Sequence, residues 1–194
     1  MSVIFQSLGR TIAAGFVLVI ILMGVTGKLP ALAEHAHWAF LMRFLHVACG
    51  VMWVGLLWYF NFVQIPSMPK IPDEQKPAVG KVIAPAALFW FRWAALATVV
   101  TGVLLAGMNG YLGRALAFAP GGQAIGLGMW LGLVMAFNVW FIIWPNQKKA
   151  LGMVQVDAEA KARAARMAML TSRFNTMLSI PMLYCMIAQQ NGGF

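Results

Sequence analysis

Five long apolar runs, at 11–27, 38–63, 85–108, 123–144 and about 168–187, occupy most of the chain and limit what it can fold into. Each holds only isolated polar residues, and each approaches or exceeds the roughly 20 residues that a helix needs to cross the hydrocarbon of a bilayer. Without water, every backbone N–H and C=O must find a partner inside the protein, which leaves helices or closed barrels as spanning structures. Barrel strands alternate apolar and polar residues, and these runs do not. The expected fold is therefore all-α: an integral membrane bundle of about five transmembrane helices, making a single membrane domain of residues 1–194. The charged share agrees, since only 10% of the residues are charged against about a quarter in a soluble domain.

The connections read as loops: Lys28 to Pro30, the proline-rich segment 66–77, the glycine-rich segment 109–122 and the polar segment 146–166. Within the last, residues 156–169 are rich in Ala, Lys and Arg, good helix formers, so the fifth helix is expected to begin outside the bilayer. The net charge of +9 does not point to nucleic acid. Its basic residues sit in short segments between apolar runs, where they orient a membrane protein, and no compact basic face remains to grip a phosphate backbone. Arg10, Lys70, Lys148 and Arg163 are among the many on the side of the N-terminus, whereas only Lys28, Arg43 and Arg114 fall opposite. The positive-inside rule then puts the N-terminus in the cytoplasm and the C-terminus outside. The first run, followed by Ala31-Leu32-Ala33, also has the form of a cleavable signal peptide; it is read here as a retained helix.

Ionisable and amide groups inside a bilayer are costly, and by default they are functional candidates. His46, Arg92, Asn61, Asn138 and Asn175 make up that set. His46, Gly50, Trp53 and Leu57 recur at helical spacing, so an imidazole, a glycine gap and an aromatic ring share one face. A flat macrocycle fits such a face, with His46 as axial ligand to haem iron; alternatively the glycines serve helix packing and His46 bonds to a neighbouring helix. Sulfur from Met108, Met129, Met182 or Met186 is the candidate second ligand. Arg92, between Phe91 and Trp93, suits a haem propionate, a substrate carboxylate or a lipid phosphate, or it snorkels toward the headgroups. Asn61, Asn138 and Asn175 are expected to hydrogen-bond between helices, the latter two with Arg92 as a possible partner. All five carboxylates, Glu34, Asp73, Glu74, Asp157 and Glu159, lie outside the runs, which argues against a carboxylate proton relay through the bilayer. The two cysteines, Cys49 and Cys185, are isolated within apolar runs and form no framework or metal motif. No phosphate loop, dinucleotide fingerprint or nucleophile elbow is present.

The string Phe137-Asn138-Val139-Trp140-Phe141-Ile142-Ile143-Trp144-Pro145-Asn146-Gln147-Lys148-Lys149 resembles the membrane domain of bacterial membrane-bound urate hydroxylase, the urate oxidase N-terminal family. So do Ser172-Arg173-Phe174-Asn175 with Leu178 to Leu183, and Arg43-Phe44-Leu45-His46-Val47 with Gly50, Trp53, Gly55 and Tyr59. The likeness runs over residues 38–187, with 1–37 an additional N-terminal helix and outer loop. It implies a multi-pass protein of the bacterial cytoplasmic (inner) membrane, a b-type haem held through His46, and oxidoreductase electron transfer with a cytochrome or other membrane subunits; Gly50, Trp53 and Arg92 are candidate haem contacts from spacing and chemistry. Histidines typical of the family's last helix are replaced at Phe174 and Gln190, and no Cys-x-x-Cys-His site occurs. A remoter likeness links the His46 helix to the haem-binding protoporphyrinogen oxidase membrane family. The alternative from a different class is a non-catalytic accessory subunit of a larger respiratory or photosynthetic complex.

Overall fold

A computed structural model describes residues 2–192, and among them regular structure is helical throughout. Besides two short helical turns, Ser2–Phe5 and Leu29–Ala33, the elements are α1 (Leu8–Val25), α2 (His35–Lys70), α3 (Lys76–Met108), a short α4 (Leu112–Leu116), α5 (Gln123–Ala150) and α6 (Ala158–Asn191). The chain divides into two compact units, Met1–Leu41 and Met42–Phe194, with the boundary inside α2.

In the first unit α1 is apolar around its whole circumference and buries no residue, the pattern of a helix whose surroundings are themselves apolar. Its end is closed by Gly27 in the left-handed conformation, with the Lys28 N–H donating to the Met23 carbonyl at 2.8 Å. Trp38 then ties the first turns of α2 back to the connecting segment by donating Nε1–H to the Leu32 carbonyl at 2.9 Å.

The second unit has its core between α2, α3, α5 and α6, where Trp53, Leu57, Phe91, Met135, Val139 and Ile143 are almost fully buried. Three of its helices share an irregularity with one cause. Wider π-helical turns occur at Tyr59–Gln64, Val79–Ile83 and Asn138–Ile143, and each ends two residues before a proline: Pro66, Pro85 and Pro145. A proline has no N–H to donate, and its ring crowds the carbonyl four residues back. The preceding turn widens to rebond the freed carbonyls, and such turns are frequent at functional positions. The helices therefore continue through segments that sequence alone assigns to loops. The proline-rich connection shrinks to the few residues between Lys70 and Lys76, and α5 runs on through Asn146 to Ala150.

Among the described residues four helices, α1, α2, α3 and α5, are long and apolar enough by length and composition to span a bilayer. The remaining helix, α6, has 34 residues, about 51 Å at 1.5 Å per residue, so length is no obstacle. It is less apolar in composition, with Arg173 among its polar residues, and its Ser172, Asn175 and Ser179 are buried along a stripe of small residues that continues through Ala164, Ala168 and Ala188. Such stripes allow membrane helices to approach closely and hydrogen-bond across the interface. The start of α6 is as expected, with Asp157 capping it by accepting from the Ala160 N–H at 2.6 Å and Glu159 paired with Arg163 one turn on.

Close approach is also what places the short α4. A Cβ on Gly126 would collide with the Ala115 carbonyl of α4, which is backbone and cannot swing away. Gly126→Ala is expected to cost about 1–3 kcal/mol as overpacking and to lower the detergent-solubilised melting temperature. Gly132→Ala, with nothing within 4 Å of the added methyl, should leave it nearly unchanged.

Candidate functional site: a cavity between α2 and α6

Hydrogen bonds tie α2 to α6 at two levels, with a gap between them. At one level the Arg43 Nη1 donates to Gln190 Oε1 at 3.3 Å. At the other, Trp58 Nε1 donates to Ser179 Oγ at 3.0 Å and Asn61 Nδ2 to Ser172 Oγ at 2.8 Å. Between these levels lies a cavity of about 580 Å³ whose far walls come from α3 and α5, within the size range of small-molecule and cofactor sites. Val47, Val51 and Ile187 line it and are also exposed, so it opens sideways where lipid would lie.

His46 stands on the wall of this cavity. Its Nδ1 is 2.9 Å from the Thr98 carbonyl and 3.3 Å from Thr101 Oγ1. A carbonyl oxygen can only accept, so the proton is on Nδ1 and Nε2 keeps its lone pair, the tautomer that ligates metals. Gly102 makes the contact possible, because a Cβ there would stand 2.8 Å from His46 Cε1. Neither Thr98 nor Gly102 is apparent as a site residue from sequence, since their role depends on how α3 packs against α2.

Of the residues singled out from sequence, His46, Gly50 and Trp53 come together on this wall. Trp53 is 1% exposed, yet its Nε1 has no hydrogen-bond partner. Arg92 is elsewhere. It lies ten positions before Gly102 on α3, about 15 Å along the axis, with its guanidinium carbon 3.7 Å from the centroid of the Trp144 ring. It joins the proline end of the bundle, where a smaller cavity of about 270 Å³ is lined by Phe60, Gln64, Gly80 and Ile143. Of the candidate sulfur ligands, Met129, Met182 and Met186 line the His46 cavity and Met108 does not.

The amides behave as interhelical ties. Asn138 Nδ2 donates to Asn175 Oδ1 at 2.8 Å, and Asn175 Nδ2 donates to the Met135 carbonyl at 2.9 Å; these bonds do not involve Arg92. Asn175 is 0% exposed, so Asn175→Ala should leave the Asn138 amide unpaired. We expect a loss of about 1–2 kcal/mol, measurable as earlier thermal unfolding in detergent.

The mouth of the cavity carries residues that sequence reasoning did not single out as a binding site. Arg43, one turn before His46, lines it together with Tyr111 and Gln190. Tyr111 is held there by the end of α3, where Gly110 in the left-handed conformation lets the Tyr111 N–H close onto the Ala106 carbonyl at 3.1 Å. Burial pushes the Tyr111 phenol up, and the nearby Arg43 charge only partly offsets this, so the hydroxyl stays protonated and able to donate.

These features define an α-helical membrane protein with a cofactor-sized cavity opening within its bundle. Residues 111–192, somewhat under half of the chain, match the family described as urate oxidase N-terminal, so that segment is similar to that family. The matched segment contains Tyr111, α5 and α6, hence the methionine wall of the cavity; the α2 wall with His46 precedes it. No curated protein and no solved structure matches the chain.

Proposed function

We propose that the protein is a b-type haem protein of the bacterial inner membrane that passes electrons to or from a membrane subunit or cytochrome. The observation that carries this reading is the His46 imidazole, fixed by Thr98 so that its unprotonated nitrogen is available at the wall of an apolar cavity. Among the described residues no three His, Cys, Asp or Glu side chains converge, so a bare metal ion would lack donors, whereas a porphyrin brings its own equatorial set. The residues suit such a group: Gly50 gives room for a flat face, and Met129, Met182 and Met186 offer a thioether from the opposite wall. His46 and one of these methionines would be the residues that hold the iron, a combination that haem proteins use. A bound haem would supply reversible one-electron chemistry between ferric and ferrous iron.

The chain's own residues then have separable tasks. Thr98 accepts the Nδ1 proton and sets both the tautomer and the plane of the ring. Leu105, Val54 and Met182 line an oily wall that excludes water and favours the less charged form of the iron site. Orientation with the N-terminus in the cytoplasm follows from the distribution of Lys and Arg and puts His46 toward the outer face. The bare circumference of α1 also favours assembly with further membrane subunits.

The test is a reduced-minus-oxidised spectrum of the chain purified in mild detergent from cells supplied with a haem precursor. The reading predicts a Soret band that shifts reversibly with dithionite and ferricyanide, together with sharpened α and β bands. A colourless, folded preparation counts against it.

A further inference from the structure

Arg43 presents an unresolved electrostatic demand. Its guanidinium lines the apolar cavity, its Nε is buried without a hydrogen-bond partner, and one Nη donates to the neutral Gln190 amide. The ion pairs among the described residues are Lys76–Asp73 and Arg163–Glu159, so none of those carboxylates neutralises it. A cation at the edge of a low-dielectric space is expensive without a counter-ion, and a guanidinium fork matches the two oxygens of a carboxylate. The Tyr111 hydroxyl, which remains a donor, lines the same mouth. At the deeper end, ten positions along α2, the buried donor is the neutral Trp53 indole. Demand for negative charge is therefore confined to one end.

We infer that the Arg43 end of the cavity is a carboxylate-binding subsite, with Arg43 and Tyr111 holding the acid edge of an amphipathic ligand whose apolar body extends past His46 toward Trp53. Resting on the haem reading, the acid groups are the two propionates, and their anchor is Arg43 rather than Arg92. The subsite fixes which edge of the macrocycle faces the mouth and keeps its charges out of the oily interior.

The experiment uses iron-free protoporphyrin IX, which cannot take an axial ligand, and its dimethyl ester, titrated into the full chain in nanodiscs of zwitterionic lipid by quenching of tryptophan fluorescence. The free acid should bind about tenfold more tightly than the ester, the scale of one charge-assisted hydrogen bond. In Arg43→Gln the preference should vanish, and in Arg92→Gln and His46→Ala it should persist. Arg43→Met, whose apolar side chain suits the membrane, serves if Arg43→Gln does not fold. Equal affinities in the wild type, or a preference untouched in both Arg43 variants, overturn the inference and leave Arg43 to lipid phosphates. Because no iron is involved, failure of haem ligation at His46 leaves this result intact, and the converse also holds.

Discussion

His46→Ala is expected to abolish the Soret band of the purified protein while leaving the helical circular dichroism and the detergent melting profile close to wild type. The expectation follows from geometry. His46 is only partly buried, and its one set of bonds goes to Thr98 and Thr101 on α3, where both threonines retain a second bond within their own helix, to the Ala94 and Ala97 carbonyls. Removing the imidazole therefore costs the bundle little, yet it takes away the one imidazole that lines the cavity among the described residues. Imidazole added to His46→Gly should restore part of the band by entering the vacated space, a recovery that a general packing defect would not give.

Gly102→Ala should weaken haem retention about 10–100-fold, the range seen when the group orienting a ligand is disturbed, although residue 102 offers no ligating atom. The added methyl would stand 2.8 Å from His46 Cε1 and 3.1 Å from Nδ1. The ring is pinned to the Thr98 carbonyl on the same helix, so it can yield only by turning away and losing the 2.9 Å bond that sets its tautomer. Gly107→Ala on α3, with nothing within 4 Å, is the matched control and should be neutral. Gly50→Ala meets only the Thr98 methyl at 3.8 Å, ordinary contact, so its effect reports directly on space needed inside the cavity. Haem transfer to apomyoglobin, followed by absorbance, ranks the three.

What could be read in the sequence and what could not divides along a physical line. Helical periodicity within one segment is local, and it put His46, Gly50 and Trp53 on one face as the cavity wall has them. The hydrophobic runs likewise announced the helices, because lipid permits few alternatives. Local reading erred where a proline implied a stop: at Pro66, Pro85 and Pro145 the chain widens into a π turn and continues. It also did not show that α6 turns Ser172, Asn175 and Ser179 inward to meet Asn61, Asn138 and Trp58. Arg92 and Arg43 are both arginines in or beside apolar runs. Only the packing of helices shows the difference: α2 against α6 turns Arg43 to the cavity, and α3 against α5 stacks Arg92 on Trp144. Thr98 and Gly102 were silent for the same reason, since their importance exists only across a helix pair.

The central claim is that the space between α2 and α6 holds haem on His46, and its most direct measurement is the haem content of the purified, membrane-extracted chain by the pyridine haemochromogen assay against protein mass. The account predicts a one-to-one ratio of haem b to chain, falling to background in His46→Ala. A folded wild-type chain without haem after expression with ample precursor, or haem retained equally by the variant, would contradict it.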